Sequence, residues 1–544
     1  MLKLGVWKVV DVNEATAVTG RPPISVSWVD TNKGDEYKPI LRSRLVVNET
    51  KRVSGHMDPG EVFSATPPLE CIRMQCSLMM SINRPTLGAE PEDDLVILLL
   101  DISRAHLHCP MRREVYTRLP LEHPEGGNAQ RCGKLVMTVY GCRDAGQNFE
   151  LAVYDALAEA GSTRGSTNPC CYRHDERRLS ISHHGDDFTI MGRRGDAHWM
   201  EARLGKRFLV KNRGCLGPRA EDVKEVSLLH RIIQYYGKDA PGGERIEFQA
   251  DPRHAEVLVK MCGLDAQTSK GVSTPGIKVP VNDDTQRKLG SEEATLFRSI
   301  CMRLGYLSLD RPDLQYVAKE CARGMAEPEE RHLIMLKRAA RYLLRAPALV
   351  WTWKRQKWPG KVCGHSDTDW AGCPVTRKST NGTALTFGTH TWFTQSSTQA
   401  PISLSSGEAE FYGLVKTGSR SIGTHNLCKD LGFEIYGSTT LEVSTDSVAA
   451  KGIAVRRGVG KVRHLETGSL WVQAAVAAGR FTLVKVDGYK NPPDIMTKHV
   501  DAVTLQRHLA TLRLRVSHER PATAARSLVG GALMREGASG QSAA

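Results

Sequence analysis

Leu179-Ser180-Ile181-Ser182-His183-His184-Gly185-Asp186-Asp187-Phe188-Thr189-Ile190-Met191-Gly192 is the stretch on which the reading of this chain turns. Its flanks alternate or cluster apolar residues as strands do, and Gly185 supplies the permissive backbone of a tight turn. The stretch is therefore expected to be a β-hairpin with Asp186 and Asp187 at its tip. Two adjacent carboxylates repel each other unless a cation or solvent compensates, and in a cleft the usual compensation is a divalent metal. A plain acidic turn has the same local sequence, so the pair needs a partner elsewhere. Leu95-Val96-Ile97-Leu98-Leu99-Leu100 provides one: a continuous apolar run reads as a fully buried central strand, and it ends in Asp101. If the hairpin pairs beside that strand, Asp101, Asp186 and Asp187 converge at one sheet end. Such a cluster suits two Mg²⁺ ions and two-metal phosphoryl transfer.

The 544 residues exceed one hydrophobic core, which implies about two to four domains. A net charge of +14 favours a polyanionic partner such as nucleic acid without requiring one. No run is long and apolar enough for a membrane span, and the N-terminus Met1-Leu2-Lys3-Leu4-Gly5-Val6-Trp7 lacks signal-peptide features. The 14 cysteines show no paired CxxC spacing, which leaves a zinc knuckle or structural zinc site unsupported and fits free thiols in a reducing compartment.

Outward from the acidic hairpin, Trp28 to Arg52 reads as a basic hairpin with a turn at Asn32-Lys33-Gly34-Asp35. Arg42 and Arg44 share one face of its second strand, and guanidinium forks suit phosphate oxygens. A helix is expected from Pro68 to Met80. Gly205 to Gly271 reads as mixed, basic and loop-rich, with a helical patch from Pro252 to Cys262. Glu292 to Ala346 has helical spacing broken at Arg311-Pro312-Asp313. Ala502 to Leu514 reads as one amphipathic helix, and Ser517 to Ala544 as a disordered tail.

A second α/β unit, from about Val362 to Lys498, carries its own acids. Asp367 and Asp369 lie where a strand runs into a turn, and Glu408 and Glu410 at a helix start. Asp446 ends the strand Val443-Ser444-Thr445, and Asp494 opens a final helix. Acids at strand ends and helix starts can converge on one sheet edge.

Taken together, these motifs resemble the copia-type (Ty1/copia) LTR retrotransposon Pol polyprotein, in its reverse transcriptase and ribonuclease H region. Asp101-Ile102-Ser103-Arg104-Ala105-His106-Leu107-His108 and Arg113-Glu114-Val115-Tyr116-Thr117-Arg118-Leu119-Pro120 are similar to the palm. Tyr140-Gly141-Cys142-Arg143-Asp144-Ala145 is similar to the next block, and His183-His184-Gly185-Asp186-Asp187 to a Tyr-x-Asp-Asp hairpin. Leu45-Val46 and Phe63-Ser64-Ala65-Thr66-Pro67 match the fingers. The resemblance implies that Asp101 and Asp186 bind both metals, with Asp187 the less essential third carboxylate. It also places His106 against the sugar of the incoming nucleotide. His184 replaces the usual Tyr, His106 a Phe or Tyr, and Asp144 a Gln. These departures bear on sugar discrimination and nucleotide affinity rather than on the metal site.

The downstream acids resemble the ribonuclease H domain of the same elements. That match assigns Asp367, Glu408, Asp446 and Asp494 as metal ligands, makes Asp369 and Glu410 supporting or exposed, and keeps Glu466 in reserve for the fourth ligand. The fold class implied is multidomain α+β and α/β, a right-hand palm and fingers followed by a ribonuclease H-like mixed sheet. Expected segments are an irregular 1–27, fingers and palm in 28–245, thumb or connection helices in 246–355, the nuclease in 356–500, and a helix and tail in 501–544. The implied activity is RNA-directed DNA polymerase with ribonuclease H, using two Mg²⁺ (or Mn²⁺) ions per site. Its partners would be an RNA template, a DNA primer, dNTPs and RNA–DNA hybrid, with a dimer or polyprotein partners also compatible. Location would be a cytoplasmic virus-like particle and the nucleus, and the chain would be the C-terminal part of a longer polyprotein. An inactive nucleic-acid-binding relic and an RNA-dependent RNA polymerase are the competing readings.

Overall fold

The computed structural model describes residues 1–32, 39–82, 94–265, 267–280 and 282–525. Beyond Asn32, the turn expected at Asn32-Lys33-Gly34-Asp35 lies outside those residues, as does the tail from 526 on. The chain divides into two compact units. One comprises Met1–Gln75, Leu87–Gly217 and Leu427–Ile435, the other Cys76–Thr86, Pro218–Asn426 and Tyr436–Ala544.

In the first unit, β4 (Leu95–Ile102) lies between β10 (Asp187–Arg193) and β11 (Val210–Leu216), antiparallel to both. With β7 (Thr163–Arg164), β8 (Cys171–His174) and β9 (Leu179–His184) the sheet runs β11-β4-β10-β9-β8-β7. Every residue of β4 except Asp101 is buried, which is why its sequence runs apolar rather than alternating. Val96, Leu98 and Leu100 pack with Phe149, Val153 and Leu157 of α2 (Ala145–Glu159) and with Ala197, Met200 and Leu204 of α3 (Arg194–Leu204). Helix α1 (Glu70–Ser81) matches the expected helix. Its buried Gln75 donates to the Ser180 and Thr189 carbonyls at 3.1 and 3.3 Å and accepts from Ser182 Oγ at 2.9 Å, which satisfies polar groups that burial would otherwise leave unpaired.

The acidic hairpin is β9–β10, with Asp187 in register with His184. Its loop is therefore Gly185-Asp186 alone, and Gly185 takes φ +60°. Asp187 belongs to the strand rather than to the tip. The basic hairpin pairs β2 (Val26–Asn32) with β3 (Leu41–Val47), and β1 (Trp7–Asp11), β5 (Tyr116–Thr117) and β6 (Arg131–Leu135) make a small separate sheet.

Among its described residues the second unit contains two sheets. One runs β12 (Glu225–Leu228), β13 (Arg231–Tyr236), β14 (Arg245–Ala250), β15 (Ala348–Lys354) and β21 (Leu514–Ser517), all antiparallel. The loop-rich reading of 205–271 is thus corrected in favour of strands, although the helix at Arg253–Met261 (α4) holds. Charged residues had interrupted the apolar pattern, yet they are buried with partners: Arg231 Nε on Asp310 at 3.0 Å, and Glu247 between Arg245 and Arg515 at 2.8 Å each. Helices α5 (Ser291–Ser308), α6 (Pro312–Arg323) and α7 (Glu330–Arg345) follow, and Pro312 opens α6 where its missing N–H costs nothing. The expected C-terminal helix ends early, as α10 (Ala502–Thr511), and the chain then enters β21.

The other sheet runs β18-β17-β16-β19-β20, built from β16 (Lys361–Asp369), β17 (Thr380–Phe387), β18 (His390–Thr398), β19 (Thr440–Thr445) and β20 (Thr482–Lys485). β16, β17 and β18 pair antiparallel, whereas β16, β19 and β20 pair parallel. Parallel neighbours need crossovers, supplied by α8 (Ser406–Asp430) and by the segment containing α9 (Val448–Val455). The second α/β unit expected from the sequence is thus a mixed sheet.

Candidate active sites

The palm acids are brought together by strand register. Asp101 on β4 is paired with Asp187 on β10 and with Lys211 on β11. Residues opposite one another in antiparallel strands project to the same face, so the three side chains form one row. Asp186 is tied to that row by its carbonyl, which accepts from Ile102 N–H at 2.9 Å. Arg213 is the extra residue where the β11–β4 register shifts between Asn212 and Gly214, and its Nη2 donates to Asp101 Oδ1 at 3.1 Å. Burial raises the Asp187 carboxyl above its usual range, and the charges of Asp186 and Asp101 add to this while Arg213 opposes it.

A cavity of about 410 Å³ is lined by Arg42, Arg44, Arg104, Tyr140, Trp28 and neighbours, and the charge of Asp186 acts on Tyr140 in its wall. Arg44 stacks over the Tyr140 ring at 5.4 Å, and His106 meets the same ring edge-on at 4.9 Å. Burial holds the His106 imidazole below its ordinary pKa, with Asp186 pulling the other way. Arg104 was not singled out from sequence as a phosphate candidate. It lines the cavity with a φ of +58°, a conformation uncommon for a non-glycine residue. Asp144 does not face this cavity's lining residues but bonds Arg113 at 2.8 Å, and Glu49 holds the same guanidinium at 2.6 Å. Although burial would lower Arg113, those two carboxylates hold it above its ordinary range. His184 pairs with Asp187, while its neighbour His183 is buried, stacks on Phe188 at 5.1 Å, and is pushed down to about 4 by that burial.

In the mixed sheet, Asp367 on β16, Glu410 on α8 and Asp446 beyond β19 each place a carboxylate oxygen within 4.8 Å of the others. Glu410, rather than the Glu408 of the sequence match, is the glutamate that joins this group. Residues two apart on a helix point roughly 200° apart, so only one of the pair can face the sheet. Glu408 points instead to the helix start, where its buried Oε2 accepts from Leu404 N–H at 3.0 Å and meets His464 Nε2 at 2.8 Å. Glu410 Oε1 accepts from Thr368 N–H at 3.2 Å, and its Oε2 is shielded from solvent without a hydrogen-bond partner. Asp367 is buried, with Oδ2 accepting from Thr497 Oγ1 at 2.7 Å.

Burial is the main cause of raised pKa values throughout this cluster. Asp367 is pushed up to about 7 and Glu410 to about 8, and neighbouring carboxylates add to both. Asp446 moves the same way. Asp494 sits in the short turn Pro492–Met496, acts on Asp367 and Asp446 through its charge, and pairs with Lys498 at 2.5 Å. Glu466 is exposed at the start of the turn Thr467–Leu470, and its field is felt at Tyr412. Asp369 ends β16 and is half-buried, with Lys498, Lys278 and Lys319 opposing the upward effect of burial. Hard oxygens crowded together, one of them without a donor, are a donor set that suits Mg²⁺.

Residues 5–216 match the family described as reverse transcriptase (RNA-dependent DNA polymerase). The chain is similar to the retrovirus-related Pol polyprotein from transposon TNT 1-94 of Nicotiana tabacum, 24% identical over 526 residues, covering 92% of this chain and 36% of that protein. It is also similar to the Pol polyprotein from transposon RE2 of Arabidopsis thaliana, 25% identical over 502 residues, covering 89% and 32%. The chain therefore spans about a third of the length of the curated relatives it matches. A solved foamy viral protease-reverse transcriptase in complex with double-stranded DNA shares the fold, with a TM-score of 0.50 and 12% identity over 89% of this chain and 68% of that one. Residues 5–216 thus match the reverse transcriptase family model, within a chain similar to copia-type retrotransposon Pol polyproteins over about nine-tenths of its length.

Proposed function

We propose that the chain is an RNA-directed DNA polymerase with ribonuclease H activity on RNA–DNA hybrids. The observation that carries this reading is the pair of separate carboxylate sets, one along a β4–β10 rung and one at the end of a parallel β16–β19 pair. Divalent ions, when bound, would neutralise phosphate charge and make the attacking oxygen a better nucleophile at each site. In the palm, Asp101 and Asp186 are the ligands we assign, with Asp187 in support. To Arg42, Arg44 and Arg104, which line one cavity, we assign the dNTP triphosphate, since guanidinium donors match phosphate oxygens. The imidazole of His106, held below its ordinary pKa and packed on Tyr140, offers a flat wall to the nucleotide sugar.

In the nuclease we assign Asp367, Glu410, Asp446 and Asp494 as ligands, and Glu408 as the group that fixes His464 and the start of α8. Contacts to 2′-hydroxyls across a wide minor groove would select the RNA strand, and basic side chains would make binding salt-dependent. Primer extension on poly(rA)/oligo(dT) with Mg²⁺ tests the polymerase half, and cleavage of a labelled RNA–DNA hybrid tests the nuclease half. The reading expects incorporation by wild type and roughly 10²–10³-fold less by Asp186→Asn. A wild-type chain that binds the primer-template yet adds no nucleotide would instead be the inactive relic.

A further inference from the structure

Arg213 owes its position to a defect in the sheet. Lys211 pairs with Asp101 and Asn212 with Leu100, so unbroken pairing would set residue 213 beside Leu99. Gly214 takes that partner instead, with φ +140°, and Arg213 is left over as the extra residue of a β-bulge. Bulges re-aim a side chain that regular pairing would direct elsewhere, and this one sends a guanidinium back to Asp101. The contact is made by one nitrogen, Nη2 to Oδ1 at 3.1 Å, and the Arg213 side chain is 47% exposed. A single contact from an exposed arm holds in place but also releases easily.

We infer that Arg213 is a built-in counter-ion of the palm: it offsets the repulsion among Asp101, Asp186 and Asp187 and competes with a divalent ion for Asp101. This rests on the assignment of Asp101 and Asp186 as metal ligands. The side chain is long and exposed enough to swing off the carboxylate when a stronger cation takes that oxygen. Lys211 is a different case, because regular pairing fixes it on the same rung. Arg213 therefore tunes how readily the site loads, and it acts through Asp101 as a positioning residue.

The test measures Mn²⁺ binding to the full chain by the electron paramagnetic resonance signal of the free ion. Glu410→Gln combined with Asp446→Asn silences the nuclease cluster, so that the titration reports on the palm. In that background Arg213→Gln keeps a polar side chain but removes the charge, and it is expected to bind Mn²⁺ about two- to fivefold more tightly, the scale of one exposed charge contact. Arg213→Lys is expected to stay near the parent. The metal-free melting temperature should fall in Arg213→Gln, and Mn²⁺ should raise it by more than in the parent. Equal or weaker Mn²⁺ binding by Arg213→Gln overturns the counter-ion role. If Asp101→Asn leaves Mn²⁺ binding unchanged, the metal-ligand assignment itself falls, and the two failures are thereby distinguished.

Discussion

The palm and the mixed-sheet cluster, the proposed nuclease, both crowd carboxylates together, but they relieve the repulsion in different proportions. In the palm the acids stand at a strand end, and a guanidinium bonded to Asp101 supplies positive charge. In the nuclease the acids are sunk among buried neighbours, and burial shifts Asp367 and Glu410 upward to about 7 and about 8. A divalent ion arriving at the palm would therefore compete chiefly with a side-chain cation, while one arriving at the proposed nuclease would compete chiefly with protons. On the proposed reading, the two activities of one chain should answer to different solution conditions.

The strongest break of this comparison is to disable each site alone. Asp186→Asn should lower primer extension by roughly 10²–10³-fold and leave hybrid cleavage intact, since one electrostatic stabiliser of the reacting phosphate is lost. Glu410→Gln should do the reverse. Loss of both activities from either variant would mean that the sites are not independent.

Next in size is the effect of pH. Asp367 and Glu410 must lose their protons to bind a metal, so the Mg²⁺ needed for half-maximal hybrid cleavage should rise as pH falls from about 8 to 6, by up to about tenfold per unit for each proton released. The stability of the metal-free chain should also rise as pH falls. Both folded pKa values lie above the unfolded ones, so their contribution is fully present below the ordinary carboxylate range and is lost as pH rises through about 7 and about 8. Melting curves across this range check the sign, and Asp367→Asn should flatten them.

A smaller difference separates the two glutamates of α8. Glu408 accepts from Leu404 N–H and holds His464, so Glu408→Gln should cost about 1 kcal/mol of stability, as loss of a helix cap does, and reduce cleavage only several-fold. Comparing it with Glu410→Gln in the cleavage assay decides which of them faces the metal.

That choice also marks the limit of what could be read from residues alone. The run Leu95–Leu100 announced a buried strand because both of its faces are covered, and an acid at its end was legible for the same reason. Asp367 and Asp446 were legible as acids at or just after strand ends. The spacing of Glu408 and Glu410 says only that they oppose each other on a helix; which one meets the sheet depends on how α8 is rotated by packing. The β12–β14 strands hid behind Arg231, Arg245 and Glu247, whose partners Asp310 and Arg515 are distant in sequence. Arg213 could not be found by alternation at all, since a bulge breaks the period that alternation relies on.

The least change is expected at Lys498, the nearest nuclease counterpart of Arg213. It pairs with Asp494 at 2.5 Å, yet its side chain is 48% exposed, and an exposed pair is worth roughly 0.2–1 kcal/mol. Two consequences of Lys498→Gln oppose each other. Removing the positive charge lets the Asp367 carboxyl rise further, which hinders metal binding where protons compete, at lower pH. At higher pH the protons are gone, and the same removal takes away a competing cation, which favours the metal. The Mg²⁺ requirement of Lys498→Gln should therefore exceed that of wild type at pH 6 and fall slightly below it at pH 9, with the two curves crossing near the raised values of Asp367 and Glu410. A variant that binds Mg²⁺ more tightly at every pH would instead make Lys498 a counter-ion of the palm kind, and protons would no longer distinguish the nuclease from the palm.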